Sequence, residues 1–158
     1  MTITESDLAA ARKAWGDALI AISAAYELDG IEAARAVAGE ALDAAYGYNL
    51  GPVLFKPTLA SGEQTFRTTR EGALAYFVGH SDEYSLDGGF GIKGWQKVEY
   101  TTAASFMDGD VAMWMGWVTF TDKDGGVLTV DKSWGYQRDG AGTLRIVLHH
   151  SSLPYEPA

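Results

Sequence analysis

Three Asp-Gly pairs, Asp108-Gly109, Asp124-Gly125 and Asp139-Gly140, punctuate the second half of this chain, each set between runs rich in β-branched and aromatic residues. Such a pair between two β-forming runs signals a tight hairpin, because both residues tolerate the positive φ that the turn demands. Three hairpins in succession make a four-stranded antiparallel meander. Its strands are predicted from about Trp95 to Phe106, Val111 to Thr121, Val127 to Gln137 and Leu144 to His150.

Successive side chains on a strand point to opposite faces. On the third strand, Thr129, Asp131, Ser133, Gly135 and Gln137 share one side, while Leu128, Val130, Lys132, Trp134 and Tyr136 share the other. The second strand is apolar on both sides, with Val111, Met113, Met115 and Trp117 on one and Ala112, Trp114, Val118 and Phe120 on the other. Helices can cover one face. The other, with Trp134 and Tyr136 of the third strand, needs a second copy of the chain, so a homodimer or larger closed assembly is expected.

The residues before the meander supply the cover. Thr4-x-x-Asp7 fits a capping box, and Leu8, Trp15, Leu19, Ile22 and Tyr26 then recur at helical spacing, which predicts an amphipathic helix over about 5–28. Asp29-Gly30 breaks it, and an alanine-rich second helix with Val37, Ala41, Leu42, Ala45 and Tyr46 inward runs to Gly47. Val53 to Leu59 reads as an edge strand interrupted by Pro57. Thr68 or Thr69 caps a short helix with Leu74, Tyr76 and Phe77 on its apolar side, ended by Gly79. Residues 80–94 are acidic and glycine-rich, without periodicity, and read as a mobile loop with His80 on its surface. The fold class is therefore α+β: a helical hairpin and a short third helix packed on a curved, mainly antiparallel sheet, one domain over residues 1–158.

Composition narrows the partners. The formal net charge of −9 leaves no basic patch for phosphates, so nucleic acid and anionic membranes are poor partners. Cysteine is absent, which excludes disulfides, thiol catalysis and thiolate metal sites. Met1 to Asp7 carries acids where a secretory leader carries bases, so a cytoplasmic location is expected.

The order of elements, with the words Phe55-Lys-Pro57, Arg138-Asp-Gly140 and Leu144-Arg-Ile-Val-Leu-His-His150, resembles the nuclear transport factor 2-like (SnoaL-like, cystatin-type cone) superfamily over almost the whole chain. Within it the likeness is greatest to the association domain of calcium/calmodulin-dependent kinase II and its bacterial stand-alone relatives. The resemblance implies helices closed over a bent sheet to leave a conical pocket, and pairing of sheets into dimers. It also implies that Ser133 and Ser151 stand where the kinase domain carries pocket arginines, and Lys56 where it carries a glutamate.

Candidate chemistry follows from the polar residues of the meander. Asp131, central in a strand, reads either as an exposed strand residue or as a pocket acid whose burial would raise its pKa and suit a general base. His149 and His150 are strand neighbours on opposite faces, so they cannot chelate one metal together and one of them reaches the pocket. The proton-transfer candidates are Asp131 and His150. The candidate ligand contacts are Tyr46, Tyr48, Lys56, Trp114, Trp117, Ser133, His149 and Ser151. No metal set or cofactor motif is complete: Gly89-x-Gly91-x-x-Gly94 precedes a strand rather than a helix, and Asp122-x-Asp124-Gly125 is a hairpin turn rather than a calcium loop. A pocket domain for a small molecule is the first reading. A cofactor-independent isomerase, cyclase or hydrolase, and a ligand-free oligomerisation module, are its alternatives.

Overall fold

The computed structural model describes residues 2–158. Helix α1, Glu5–Asp29, starts at the capping box: Thr4 Oγ1 accepts from the Asp7 amide, and the Asp7 carboxylate accepts from the Thr4 amide. Gly30, at φ +86°, turns the chain into α2, Ile31–Ala45. This helix ends two residues before Gly47, with extended Tyr46 as its cap. The inward row of α2 is Ala34, Ala38 and Leu42, and Val37, Ala41 and Ala45 flank it half-buried. Strand β1, Leu54–Lys56, stops before Pro57 as the proline requires. Helix α3, Arg70–Val78, begins at Thr69, whose hydroxyl accepts from the Gly72 amide, and ends at Gly79.

The meander spans β2 (Trp95–Asp108), β3 (Val111–Asp122), β4 (Val127–Arg138) and β5 (Leu144–Ser152). The sheet order is β1-β5-β4-β3-β2, with β1 parallel to β5 and the other pairs antiparallel. Register shifts between Thr102 and Ala104 and between Gly135 and Tyr136 mark bulges, which bend strands. Three helices on one side of a mixed sheet give the nuclear transport factor 2-like architecture.

The face under the helices corrects the expected orientation of β4. Val130, Lys132, Trp134 and Tyr136 point into the core, joined by Ala112, Trp114, Val118 and Phe120 of β3. Trp134 and Tyr136 thus lie inside one chain and not at a subunit contact. Asp131, Ser133 and the other alternate residues of β4 face outward. Alternation was read correctly, but polarity assigned the wrong face, because the single charge of Lys132 sits in the buried row. The outward apolar surface is instead Phe106, Met113, Met115 and Trp117, all exposed, with Leu54 at the far edge.

The stretch after α3 is also not a free loop. Arg67 is enclosed, with its guanidinium pairing both oxygens of Asp87 (2.6 and 2.7 Å) and also donating to the carbonyls of Gln64 and Gly72. The paired side chains are 2% and 4% exposed. Gly79 and Gly89 pack backbone to backbone: a Cβ on Gly89 would lie 2.8 Å from the Val78 carbonyl oxygen, and both glycines have positive φ. This docking seats the 3₁₀ turn Phe90–Ile92 against the core.

Removing one partner of a buried ion pair leaves the other uncompensated, which costs about 3–5 kcal/mol. Asp87→Ala is expected to lower the melting temperature strongly and to speed amide exchange over residues 81–92. Exchange confined to the helices, with this segment unchanged, would contradict the clamp.

Candidate functional site

The deepest polar groups of the protein form one connected chain beneath α1. Trp15 of α1 donates its indole N–H to the Tyr46 hydroxyl at 3.0 Å, and Tyr46 Oη lies 2.8 Å from His149 Nδ1. His149 Nε2 is 3.0 Å from Lys132 Nζ, and Lys132 Nζ is 3.0 Å from Ser151 Oγ. Ser151 Oγ is 2.5 Å from Thr58 Oγ1, and Tyr76, which lines the same cleft as Thr58, accepts the Leu59 amide at its hydroxyl. Five elements and a loop meet here: α1, α2 through its cap, β4, β5, α3 and the turn after β1.

Local structure explains why these residues converge. Lys132 and Ser151 are register partners on β4 and β5, and both point inward. His149 is two residues before Ser151, so it shares that face, and Phe55, its register partner on β1, stacks on it with ring centroids 4.5 Å apart. Pro57 ends β1 and turns Thr58 toward Ser151. Tyr46 reaches His149 because α2 stops at Ala45 and leaves Tyr46 extended.

Hydrogen-bond accounting constrains the protons. An indole N–H can only donate, so Tyr46 Oη accepts from Trp15. The Tyr46 hydrogen then goes to His149 Nδ1. A neutral His149 carries its remaining proton on Nε2, aimed at Lys132 Nζ, and only an uncharged amine has a lone pair to accept it. Were Lys132 an ammonium, it would donate to Nε2, His149 would carry its proton on Nδ1, and the Tyr46 hydrogen would face aromatic rings. Lys132 protonation is therefore coupled to the direction of the whole chain.

Burial brings the uncharged state within reach near neutral pH. Burial pushes the Lys132 pKa down to about 7, with the Lys56 cation adding to the fall and Asp131 opposing it. Burial, then the charge of Lys132, holds His149 well below the ordinary imidazole range, so it is neutral. Burial raises the Tyr46 and Tyr76 hydroxyls, so both keep their protons. The cleft beside these groups is rimmed by Trp15, Phe55, Tyr76, Phe77 and Phe90 and is closed, with no room for even one water. A small polyatomic ligand enters only if the aromatic rim moves.

Of the residues singled out in the sequence, Tyr46, His149 and Ser151 join this chain. Tyr48 stacks on Tyr46 but donates its hydroxyl to the Arg67 carbonyl, outside the cleft. Trp114 is core: it donates to Thr102 Oγ1 and lies against Trp134 and Arg12, away from the cleft rim. Asp131, Ser133, His150 and Trp117 all lie on the outer face, where Asp131 is the register partner of Trp117 and Ser133 of His150. This removes Asp131 and His150 as groups that could act in the cleft. Lys56 pairs in register with His150, and its ammonium donates to the Ser151 carbonyl. Lys132, Thr58, Tyr76 and Trp15 were missed. The available signal was a lone lysine in the apolar row Val130, Trp134, Tyr136, since a charge there must be paired or neutral. Among the described residues, no group of three or more His, Cys, Asp and Glu could hold a metal ion.

A buried lysine with a depressed pKa makes stability depend on pH. Below about 7 it is charged in both folded and unfolded protein, and burial of that charge destabilises the fold fully. From about 7 to the ordinary value of 10.5 the unfolded chain binds more protons, so stability rises with pH, and above that the penalty is gone. Lys132→Met should therefore melt higher than the wild type at pH 6, by roughly 5 kcal/mol less the cost of the lost hydrogen bonds, and the advantage should vanish toward pH 10. An advantage independent of pH would show that Lys132 does not titrate there.

The family profile described as metal-independent carbonic anhydrase matches residues 6–153. A protein of that name from Nostoc sp. is 56% identical over 154 residues, which cover 98% of this chain and 75% of that protein. The crystal structure of an iota-carbonic anhydrase from a cyanobacterium, complexed with bicarbonate, superposes with a TM-score of 0.97 at 55% identity, covering 99% of this chain and 95% of the other. Two more distant structures share the fold. One is a calcium/calmodulin-dependent protein kinase II association domain from Xanthomonas campestris (TM-score 0.59, 21% identity, 98% and 91% of the two chains). The other is a nuclear transport factor 2-like protein from Pseudomonas putida (0.58, 13%, 96% and 87%). The fold read from the sequence thus stands, but the kinase association domain is a fold neighbour only: the chain belongs to the metal-independent carbonic anhydrase family.

Proposed function

We propose that this protein interconverts carbon dioxide and bicarbonate in the cleft beside Lys132, His149, Ser151, Thr58 and Tyr76. The observation that carries the reading is a buried lysine amine, pushed down by burial to a pKa of about 7, in hydrogen-bond contact with His149 and with the Ser151 hydroxyl, which in turn meets that of Thr58. Family membership, and the bicarbonate bound by the similar cyanobacterial protein, support it. The alternatives give way: an isomerase, cyclase or hydrolase built on Asp131 or His150 has its proton-transfer group on the outer face, and a ligand-free module does not fit the family.

In the hydration direction, Lys132 accepts a proton from a water as the water oxygen bonds to the carbon of carbon dioxide. One C=O electron pair moves onto its oxygen, which the Ser151 and Thr58 hydroxyls are close enough to receive. Bicarbonate then lies beside the Lys132 ammonium, and the proton leaves to solvent to restore the amine. No metal is needed for this sequence, since the base is the lysine itself.

Stopped-flow hydration with a pH indicator, on protein dialysed against a chelator, tests the reading. Activity should survive chelation, with kcat/KM rising as pH passes about 7, the value to which Lys132 is pushed. Lys132→Met should abolish it, and Ser151→Ala or Thr58→Val should lower it by roughly 10²-fold. Full activity in Lys132→Met, or a rate that disappears on chelation, would sink the proposal.

The ligand reaches the protein as part of an assembly, on our reading: two sheets pair through the outer row of Leu54, Met113 and Phe106 and the neighbouring Met115 and Trp117. Strand register sets Met113 opposite Phe106, and all five side chains are exposed in a single chain. Light scattering should find a dimer or larger closed assembly, and Trp117→Asp should dissociate it while leaving the folded chain intact. A 17.0 kDa species for the wild type would remove this surface as an interface.

A further inference from the structure

A second cavity lies between α1 and α2, on the other side of the aromatic wall from the cleft. Its volume is about 20 Å³, more than the roughly 10–15 Å³ that one water requires. Trp15 and Phe77 line both the cavity and the cleft, and Tyr46, which hydrogen-bonds His149 of the cleft, lines the cavity as well. The rest of its wall is aliphatic, with no charged side chain. Ala18 of α1 and Ala41 and Ala45 of α2 are half-buried, so the cavity reaches the surface where the two helices face each other through alanines.

We propose that this cavity is a docking and entry site for carbon dioxide, from which the gas passes the Trp15, Tyr46 and Phe77 wall to Lys132. The inference rests on the carbon dioxide–bicarbonate reading above and adds a second site to it. Carbon dioxide is linear, uncharged and close to water in cross-section, so it fits such a space without needing a hydrogen bond. Water gains little there, because an apolar cavity offers it no partners and stays dry. Bicarbonate is excluded, since an isolated anion in an unpaired apolar site carries a large desolvation cost. The passage therefore selects the neutral partner of the reaction from its charged one. It also explains the alanine row of α2: larger side chains at 41 and 45 would close the gap, although leucine is nearly as good a helix former as alanine.

The test fills the cavity and reads gas occupancy and turnover separately. Crystals of the wild type, Ala41→Leu, Ala18→Leu and Ala44→Leu are pressurised with xenon, and the same proteins are assayed for carbon dioxide hydration. Ala44 is exposed on α2 and does not line the cavity, so its variant controls for the added leucine. Xenon is expected between α1 and α2 in the wild type and Ala44→Leu, and absent from Ala41→Leu and Ala18→Leu. The two filled variants should lose kcat/KM several-fold with no fall in melting temperature, while Ala44→Leu keeps the wild-type value. Absence of xenon from the wild type, or a filled variant without xenon and with wild-type kcat/KM, overturns the entry site alone. A wild type with no hydration activity overturns the carbonic anhydrase reading, and the entry site with it.

Discussion

The amine of Lys132, held between the sheet and α1 without water, is the constraint on which the rest of this structure depends. Its nitrogen lies 5.0 Å from the Trp15 ring centre and 5.7 Å from those of Phe120 and Trp134. Such surroundings tolerate an ammonium only weakly, through ring faces and two polar contacts, so desolvation dominates and the pKa falls. The consequence is chemical. A lysine on a wet surface stays protonated at neutral pH and accepts nothing, whereas this one exchanges a proton near the pH of its surroundings. The fold tolerates a destabilising residue at its centre, as expected where function and stability conflict.

Keeping that amine dry needs every layer of the protein. The β4–β5 pairing places Lys132 and Ser151 side by side, and the parallel β1 adds Phe55 over His149. Helix α1 lays Trp15 across the sheet against Phe120, Trp134 and His149. Helix α3 and the 3₁₀ turn supply Tyr76 and Phe90, which stack at 5.8 Å, and this side is fixed by the enclosed Arg67–Asp87 pair. That pair lies beyond the cleft rim, yet it sets where the rim stands. The rim also has to move for a ligand to enter, so the clamp at one end and the small-residue seam between α1 and α2 at the other divide the shell into a fixed side and a looser one.

The two faces of the sheet then do different work. Inward residues build the proton chain and its aromatic box. Outward residues of β2 and β3 leave an apolar row that a lone chain exposes, and Asp131, Ser133 and His150 border it as solvent-side polar groups. The aspartate outside follows the usual pattern, whereas the lysine inside, 3% exposed, breaks it.

By itself the sequence determined the elements and their order. Capping boxes, helical spacing and the Asp-Gly turns are local, acting through contacts a few residues apart, and each element formed close to where these signals placed it. Strand alternation is local too, so the two residue sets of β4 were legible in full. Which set faced inward was not. That choice is made by the helices, which bury Trp134 and Tyr136 together and carry Lys132 in with them. A single polar residue in an apolar row is outvoted by the area its neighbours bury. Of the polar chain, Tyr46, His149 and Ser151 were legible as candidate pocket residues, but their connection through Trp15, Lys132 and Thr58 was not, because the members come from well-separated segments and none belongs to a compact motif. Only the tertiary structure decided it: these groups meet through packing of non-local surfaces, and the proton positions and the lysine pKa exist only once water has been excluded from around them.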